Sequence, residues 1–496
     1  MDSGFEMSST AAAAAPGLRT GTARGRWVIA ATVLGSGVAF LDGSVVNVAL
    51  PAIGHDLHAN LSGLQWVLSG YLLTLSALLV LGGSFGDLFG RRRVFIIGLV
   101  GFGVASVLCG AAPSTGALVG ARCLQGVAAA FLVPSSLAII SSTFRPEDRG
   151  RAIGAWSGLA GVATALGPFL GGWLVDSVSW RLVFFINLPL IAATVLITLR
   201  HVPETFDHEA DRRIDVPGGV LLTIGLAGIV YALIEGPAHG WLAGAVSAGV
   251  AGVVALALFV VAERRSSHPM VPLEVFRSRQ FSGANATTLA VYAALSATTF
   301  FLVVHLQTDL GYSALEAGAS LFPITVVMAA LSARAGALAQ RIGPRLPMTI
   351  GPIVVGAGVV VLSRVDTGSS YWTDVLPGLL VLAFGLALTV APLTATVLAA
   401  VEDRHSGIAS AINNAVARLA SLLAVAVLPA AAGLATTGTG LDLEHGFSKA
   451  MVIAAVLAAV GGLIAWSTIR SGATVRTVTR LDVSAPCQDP CLREAS

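Results

Sequence analysis

The sequence predicts an all-α integral membrane protein with about fourteen transmembrane helices, and three observations support this fold class. Hydrophobic residues make up 55% of the 496 residues and charged residues only 11%, against about 25% charged in an ordinary soluble domain. The mean hydropathy is +0.83. The apolar residues are also grouped in long runs, each close to the ~20 residues that a helix needs to cross a bilayer core. A soluble fold would not bury so much apolar surface.

Fourteen runs are long and apolar enough to span a membrane. They cover residues 27–50, 64–85, 94–111, 116–138, 152–174, 180–200, 217–236, 241–262, 281–306, 314–335, 346–363, 375–397, 405–431 and 447–469. Glycine and proline inside the runs are compatible with helices, because neighbouring helices satisfy freed backbone groups in a membrane bundle. The polar stretch before the first run is not a signal-peptide core, so we expect the first run to remain as a membrane helix.

The basic residues are distributed over the loops in a way that orients the chain and supports the number of spans. With fourteen spans, loop arginines such as Arg91 and Arg149 fall on one set of alternating loops, and only Arg181, Arg364 and Lys449 fall on the other. Positive charge is retained on the cytoplasmic side of membrane proteins. Both termini are therefore predicted to be cytoplasmic, in a multi-pass protein of the cell (plasma) membrane.

Two loops of similar sequence indicate an internal repeat. The loops after the second and tenth spans read GSFGDLFGRRR and GALAQRIGPR, which aligns Gly90 with Gly343 and places Gln340 opposite Asp87. Both loops join the second and third helices of a six-helix set if the seventh and eighth spans are an insertion. The predicted domains are then an N-terminal tail (1–26), an N-terminal six-helix bundle (27–200), a two-helix insertion with cytoplasmic loops (201–280), a C-terminal six-helix bundle (281–470) and a C-terminal tail (471–496).

The first of these loops resembles the signature loop of the major facilitator superfamily, through the pattern Gly-x-x-x-Asp-x-x-Gly-Arg-Arg from Gly83 to Arg92. Further motifs resemble its fourteen-helix drug:proton antiporters: Leu41-Asp42 through Asn47 to Pro51, Arg122-x-x-Gln125-Gly126, Gly158-x-x-Gly161 with Gly167-Pro168-x-x-Gly171-Gly172, Trp180-Arg181 with Asn187-x-Pro189, and Gly407 to Ser410 with Asn413-Asn414. The resemblance covers nearly the whole chain. It implies two six-helix bundles plus two additional helices, and the glycine-proline run of the fifth span is associated with exporters.

Charged residues inside the spans are the first candidates for a mechanism, because a charge in a membrane helix costs a few kcal/mol or more unless it is paired or faces water. Asp42, Arg122 and Arg418 are such residues. At 1.5 Å per residue, Asp42 lies about 12 Å and Arg122 about 9 Å below the same outer boundary, so the two can meet. A proton could then break and restore their ion pair. Alternatively, Asp42 braces helix packing, Arg122 bonds backbone carbonyls, and the proton is carried elsewhere.

The resemblance gives Arg122 a role in proton transfer, and it gives the loop of Asp87, Gly90, Arg91 and Arg92 a role as a cytoplasmic latch. A cluster of charges at a seam between helices can be bistable while the two halves rock. The alternative is a loop that only sets orientation, but Arg91 to Arg93 would serve that purpose without Asp87.

The antiporter motif of the fifth span is a set of small residues that recur near one face of a helix. Small residues allow close approach between helices, and a proline bends the helix in which it lies. We assign the motif to packing that resists leakage between the halves. Its residues are Gly158, Gly161, Gly167, Pro168, Gly171 and Gly172.

Polar and aromatic side chains inside the spans are candidates for the substrate cavity, although packing or hydrogen bonds between helices is the better explanation for each one alone. They are Asn47, Gln65, Trp66, Tyr71, Tyr292, Phe300, Phe301, Gln307, Asn413, Asn414 and Arg418. Arg418 is either a partner for the amides or a group that faces an anion. The C-terminal half has no embedded carboxylate, since Glu402 and Asp403 fall at the cytoplasmic end and Asp309 and Glu316 at the outer end. This argues against dicationic substrates and leaves neutral, monocationic or amphiphilic ones.

The predicted function is a proton-coupled antiporter that exports small amphiphilic or apolar compounds, such as drugs, toxic compounds or secondary metabolites, by alternating access. Lys449 is the only lysine, so there is no nucleotide-binding loop and no ATP-driven pump. The tail cysteines Cys487 and Cys491 lack a nearby histidine, and no metal or other cofactor is expected. The net charge of +2 gives no reason to expect nucleic acid.

The remaining partners are the substrate, protons and the lipid bilayer, and the protein is expected to act as a monomer. Alternatives are a proton-coupled importer of the same fold and a non-transporting receptor or scaffold. A membrane enzyme is disfavoured, because the histidines lie mainly in loops or tails and do not cluster with carboxylates within the spans.

Overall fold

The structure, a computed structural model, describes residues 17–206, 215–266, 269, 271–401, 406–434 and 446–470. Within these residues it is helical, and 14 helices are long and apolar enough to cross a membrane. Each predicted span coincides with one of these helices, so the predicted fold class is confirmed. The loop residues Arg212, Arg213, Glu402, Asp403 and Arg404 and most of both predicted tails lie outside the described residues.

The spans are numbered here in chain order. They are α1 Ala23–Asp56, α2 Leu61–Phe89, α3 Arg91–Gly110, α4 Thr115–Thr143, α5 Pro146–Ser177, α6 Leu182–His201, α7 Val216–His239, α8 Ala243–Arg265, α9 Arg279–Thr308, α10 Ala314–Ile342, α11 Arg345–Leu362, α12 Tyr371–Ala399, α13 Ser406–Ala431 and α14 Phe447–Thr468. A short 3-10 helix, Leu273–Arg277, precedes α9.

Two spans are interrupted near the ends at which they begin. Helix α6 consists of Leu182–Phe185 and Asn187–His201, and Pro189, which has no N–H to donate, lies just after the break. Helix α10 consists of Ala314–Ser320 and Phe322–Ile342, with a proline in the first turn of its second part. The break in α6 matters for the site, because it sets the position of Asn187.

The repeat seen in the sequence has a counterpart in the backbone. Gly90, after α2, and Gly343, after α10, both have positive φ, at 101° and 86°. Glycine tolerates this conformation without steric cost, whereas other residues are strained in it. The two loops thus make the same kind of turn between the second and third helices of each half.

The two extra helices, α7 and α8, pack against each other, and α7 also contacts α2 and α13. Leu226, Val230 and Ile234 of α7 share an apolar cluster with Leu73 of α2 and Leu422 of α13. The pair therefore lies at a seam between the two halves. The exact boundaries of the predicted domains stay a prediction.

We call the end of the bundle that carries Arg91 and Arg149 the basic end, and the end that carries Asp56 and Asp176 the opposite end. At the opposite end the halves are joined by hydrogen bonds. Gln65 donates to the carbonyl of Val425 at 2.6 Å, and Gln307 donates to the carbonyl of Val48 at 3.1 Å. The carboxylate of Asp176 accepts the first backbone N–H groups of α10, from Ala314 at 3.1 Å and Leu315 at 2.7 Å.

The basic-end half of α5 lacks such contacts. A Cβ atom added at Gly150, Gly154, Gly158 or Gly161 would meet no described atom within 4 Å. A Cβ atom at Gly172, by contrast, would collide with the backbone of Ala314 and Leu315. The bundle is therefore closed at its opposite end and open between its halves at its basic end.

The orientation of the bundle predicts which loops are accessible from outside the cell. Gly116 lies at the opposite end and Gly150 at the basic end, and neither has described atoms near the position of a Cβ, so a cysteine at either site costs no packing. In intact cells expressing an otherwise cysteine-free protein, a membrane-impermeant maleimide is expected to label Gly116→Cys but not Gly150→Cys. The reverse labelling pattern would contradict the predicted orientation.

Candidate functional site

Asp42 of α1 and Arg122 of α4 form a buried ion pair. The carboxylate oxygen Oδ2 and the guanidinium nitrogen Nη1 are 2.5 Å apart. The two residues are 0% and 1% exposed. The structure thus brings together the two charged residues whose depths in the membrane match, while their role in coupling stays a prediction.

Polar side chains from two more helices complete the shell of this pair. Gln125, one turn from Arg122, and Asn187, at the break in α6, donate to Asp42 Oδ1 at 2.9 and 3.0 Å. Gln125 also accepts from Arg122 at 2.6 Å, and Ser106 of α3 accepts from both amides, at 2.9 and 3.2 Å. All three of these residues are buried. Four helices therefore converge on one carboxylate, and the donors suit an ionised acid, which can only accept hydrogen bonds.

Aromatic side chains enclose the guanidinium of Arg122. Its central carbon lies 4.3 Å from the ring centre of Tyr71 and 5.8 Å from that of Phe184, within the range of cation–π attraction. Its Nε donates to the carbonyl of Val67 at 3.1 Å. The Tyr71 hydroxyl donates to the carbonyl of Ala39. The positive charge is therefore fully compensated, and the pair is closed to water in this conformation.

The chemistry open to this cluster is the exchange of one proton. A proton on Asp42 would cancel its charge and leave Arg122 with an unpaired charge in a site of low polarity, which costs several kcal/mol. Such a change favours a rearrangement of α1 against α4 that gives Arg122 another partner or water. The described residues contain no group of three or more histidine, cysteine, aspartate or glutamate side chains arranged to hold a metal ion.

The residues of the predicted latch lie at the basic end and contact one another within the N-terminal half. Asp87 pairs with Arg91 at 2.7 Å. Glu204, which follows α6, accepts from the backbone N–H of Arg92 at 2.9 Å and fills the space beside Gly90. In the part of the chain that the structure describes, Asp87 has no other ion pair. The absence of a bond from Asp87 to the C-terminal half agrees with the open basic end, and the latch stays a prediction for the other conformation.

The antiporter motif divides into an open and a packed part. Gly158 and Gly161 are exposed, whereas Gly167, Pro168, Gly171 and Gly172 are buried. The packed part lies against Ser44 and Val45 of α1 and against the first turn of α10. The buried glycines thus form the closed seam, and the exposed ones border the opening.

Several predicted cavity residues are engaged in helix contacts. Gln65 and Gln307 join the halves at the opposite end, and Trp66 donates to Glu235 of α7 at 2.7 Å. Asn413 donates to Asn285 and Thr288 within the C-terminal half. Tyr71, Phe300 and Phe301 are buried, at 2%, 2% and 1% exposure. Whether any of them also contacts substrate stays a prediction.

Asn47, Tyr292, Asn414 and Arg418 remain partly or fully exposed. Asn47 donates to the carbonyl of Gly43, and Asn414 donates to the carbonyl of Ser410. Arg418 lies with its guanidinium carbon 5.3 Å from the ring centre of Phe40. These residues belong to α1, α9 and α13 and are candidates for lining the opening.

Sequence reasoning missed three features of this region. Ser106 joins the ion-pair cluster, but a serine in an apolar run carries no distinguishing signal. Glu235 of α7 bonds Trp66 of α2. His305 is buried, stacks on Phe447 with ring centres 3.9 Å apart and lies 2.5 Å from Asp309.

The fold and the site together define a membrane transporter, with two related helical halves that meet at one end, an opening between them and a buried ion pair inside one half. The family model of the Major Facilitator Superfamily matches residues 32–425. The chain belongs to this superfamily, in the branch of its drug efflux proteins, and it is not an enzyme.

Named relatives share a third or more of their aligned residues with this chain. The multidrug resistance protein Stp of Mycobacterium tuberculosis is 37% identical over 80% of this chain and 74% of its own. The tetracenomycin C resistance and export protein of Streptomyces glaucescens is 34% identical over 82% and 76%. The puromycin resistance protein pur8 of Streptomyces alboniger is 35% identical over 87% and 88%.

Solved structures share the fold at low sequence identity. A peptide transporter, POT, has a TM-score of 0.67 at 14% identity and covers 90% of this chain and 94% of its own. The human organic anion transporter MFSD10 has a TM-score of 0.59 at 18% identity, with coverage of 89% and 99%.

The burial of the ion pair predicts a large effect on stability. Asp42→Asn is expected to destabilise the protein by about 3–5 kcal/mol, because it leaves a buried guanidinium without its counter-charge. Adding Arg122→Gln is expected to recover part of this loss. The measurement is thermal unfolding of the detergent-purified protein.

Asp56→Asn is the matched control for this prediction. Asp56 pairs with Arg181 at the opposite end, where the two side chains are 46% and 36% exposed, and such pairs contribute about 0–1 kcal/mol. If Asp42→Asn costs no more stability than Asp56→Asn, the buried pair is not the strong interaction described above.

The divided motif predicts different effects for two glycines of α5. Gly172→Ala is expected to push α10 away and to open the seam, whereas Gly161→Ala, which has space, is expected to change nothing. The readout is the rate at which an impermeant maleimide, added at the opposite end, labels a cysteine at position 47. A several-fold faster rate with Gly172→Ala alone supports the seam, and equal rates in both variants contradict it.

Proposed function

We propose that the protein is a proton-coupled antiporter that exports small amphiphilic or apolar compounds from the cytoplasm by alternating access. The observation that carries the proposal is the enclosed pair of Asp42 and Arg122, a titratable acid held by a cation beside the seam between the two halves. The relatives named for resistance and export support the outward direction.

In the proposed cycle, the described conformation accepts substrate at the basic end, which faces the cytoplasm. Rocking then opens the seam of α5 and α10 and exposes Asp42 to the outside, where it takes up a proton. Protonation releases Arg122 and lowers the barrier for return, and loss of the proton on the inner side restores the pair.

The free energy released by one inward proton is sufficient to build a concentration gradient of the exported substrate. One proton moving inward yields about 2.3 kcal/mol per 100 mV of membrane potential and about 1.4 kcal/mol per pH unit. Together these support a concentration ratio of a few hundredfold. The nearest alternative, import driven by the same proton, would use the same cluster and differ only in which side releases substrate.

Transport into everted vesicles tests the proposal. Vesicles with the wild-type protein are expected to accumulate a lipophilic fluorescent dye when a proton gradient is applied, and an uncoupler is expected to abolish the accumulation. Asp42→Asn is expected to abolish accumulation of dye against its concentration gradient. The variant is still expected to exchange dye across the vesicle membrane when no proton gradient is applied. Retained exchange shows that the variant is folded and open to substrate.

Two results would overturn the proposal. Accumulation in the Asp42→Asn variant at the wild-type level would move the proton site away from this cluster. Accumulation that persists in the presence of the uncoupler, or proton-driven accumulation in right-side-out vesicles instead of everted ones, would contradict proton-driven export.

A further inference from the structure

Arg418 is a cation in the middle of the membrane bundle whose environment differs from that of Arg122. It lies twelve residues into α13, about 18 Å from the start of that helix. Among the described residues it has no ion pair and no hydrogen bond to a side chain, and its described contact is the face of Phe40. A charge at this depth requires water or an anion beside it, so Arg418 faces the opening.

Aromatic groups surround this charge on the side of the opening. Phe40 belongs to the N-terminal half and meets the edge of Trp156 of α5, with ring centres 6.3 Å apart. Tyr292 of α9 lies between Thr288 and Ser296, which bond Asn413 and Ser421 of α13 on either side of Arg418. Its hydroxyl has no hydrogen bond within the described part of the chain. The result is a cation and a free phenol at the end of an aromatic wall built by both halves.

The carboxylates of the described spans do not compensate this charge. Asp42 is enclosed with Arg122, Glu235 is bonded to Trp66, and Glu263 accepts from the backbone of Val271 near the basic end of α8. A second arginine, Arg334 of α10, is exposed, and its one bond among the described residues is to a carbonyl of its own helix, at 3.1 Å. The opening therefore carries a positive charge at mid-depth, and a cationic ligand would be repelled there.

We propose that the preferred substrates are small aromatic compounds with a single negative charge, a carboxylate or an acidic phenol, bound by Arg418. A planar guanidinium holds a carboxylate through two parallel hydrogen bonds, the Phe40 and Trp156 rings contact the aromatic scaffold, and Tyr292 donates to the same anion. This inference rests on the proposed function only in taking the opening as the substrate site. The proton step alone does not determine this class of substrate.

Binding of three related probes tests this inference without a proton gradient. Anthracene-9-carboxylate, 9-anthracenemethanol and 9-(aminomethyl)anthracene share a ring and differ in charge. Their dissociation constants are measured with the detergent-purified protein by equilibrium dialysis. The anion is expected to bind roughly tenfold to a hundredfold more tightly than the cation, as one charge-assisted hydrogen-bonded contact provides.

Substitutions of Arg418 test whether this residue is the source of the preference for the anionic probe. Arg418→Gln is expected to abolish the preference for the anion while leaving the neutral probe unchanged, and Arg418→Lys is expected to retain part of the preference, since it keeps the charge but not the bidentate geometry. Arg341→Gln, at the exposed basic end of α10, removes the same charge elsewhere and is the control. Unchanged binding of the neutral probe shows that the variants are folded.

The outcomes separate this inference from the proposed transport cycle. Equal binding of all three probes to the wild type, or loss of preference in Arg341→Gln as large as in Arg418→Gln, would overturn it. Tighter binding of the cation would overturn it as well. Failure of proton coupling leaves these binding constants unaffected, because they are measured at equilibrium without a gradient.

Discussion

Holding a carboxylate and a guanidinium together inside a membrane bundle is the constraint on which the N-terminal half depends. Neither Asp42 nor Arg122 could be buried alone, because an unpaired charge at that depth costs several kcal/mol. The amides of Gln125 and Asn187 and the rings of Tyr71 and Phe184 complete the shell. The break in α6 is part of this arrangement, since it places Asn187 beside the carboxylate. One ion pair thus fixes how α1, α3, α4 and α6 pack.

The seam between the halves is built differently, from close backbone contact and an exposed carboxylate. Gly171 and Gly172 let α5 approach Val45 of α1 and the first turn of α10, and Asp176 accepts the free N–H groups of that turn. Separation of such a seam would leave no buried charge unpaired, because Asp176 is exposed. The buried ion pair and the seam are therefore neighbours on α1 but are made of different interactions.

Much of the fold was accessible from the sequence, because span length, hydropathy and loop charge are each set by the bilayer. The pairing of Asp42 with Arg122 could be predicted from their depths in the membrane, because the rise per residue of a helix is fixed. The residues of the predicted cavity were harder to assign. Gln65 and Gln307 bond carbonyls across the seam, and Tyr71 stacks on Arg122. Nothing in residue type or spacing separates an amide that joins two helices from one that meets a substrate.

We propose that Asp42 takes up and releases the transported proton. Infrared difference spectroscopy of the purified protein during a pH jump measures this directly, because a protonated carboxyl group absorbs apart from a carboxylate. We expect acidification to produce a carboxyl band in the spectrum of the wild type. This band should be missing from the spectrum of Asp42→Asn, and an exported substrate should shift it. A band of the same size and position in Asp42→Asn would assign the proton to another group and contradict the account.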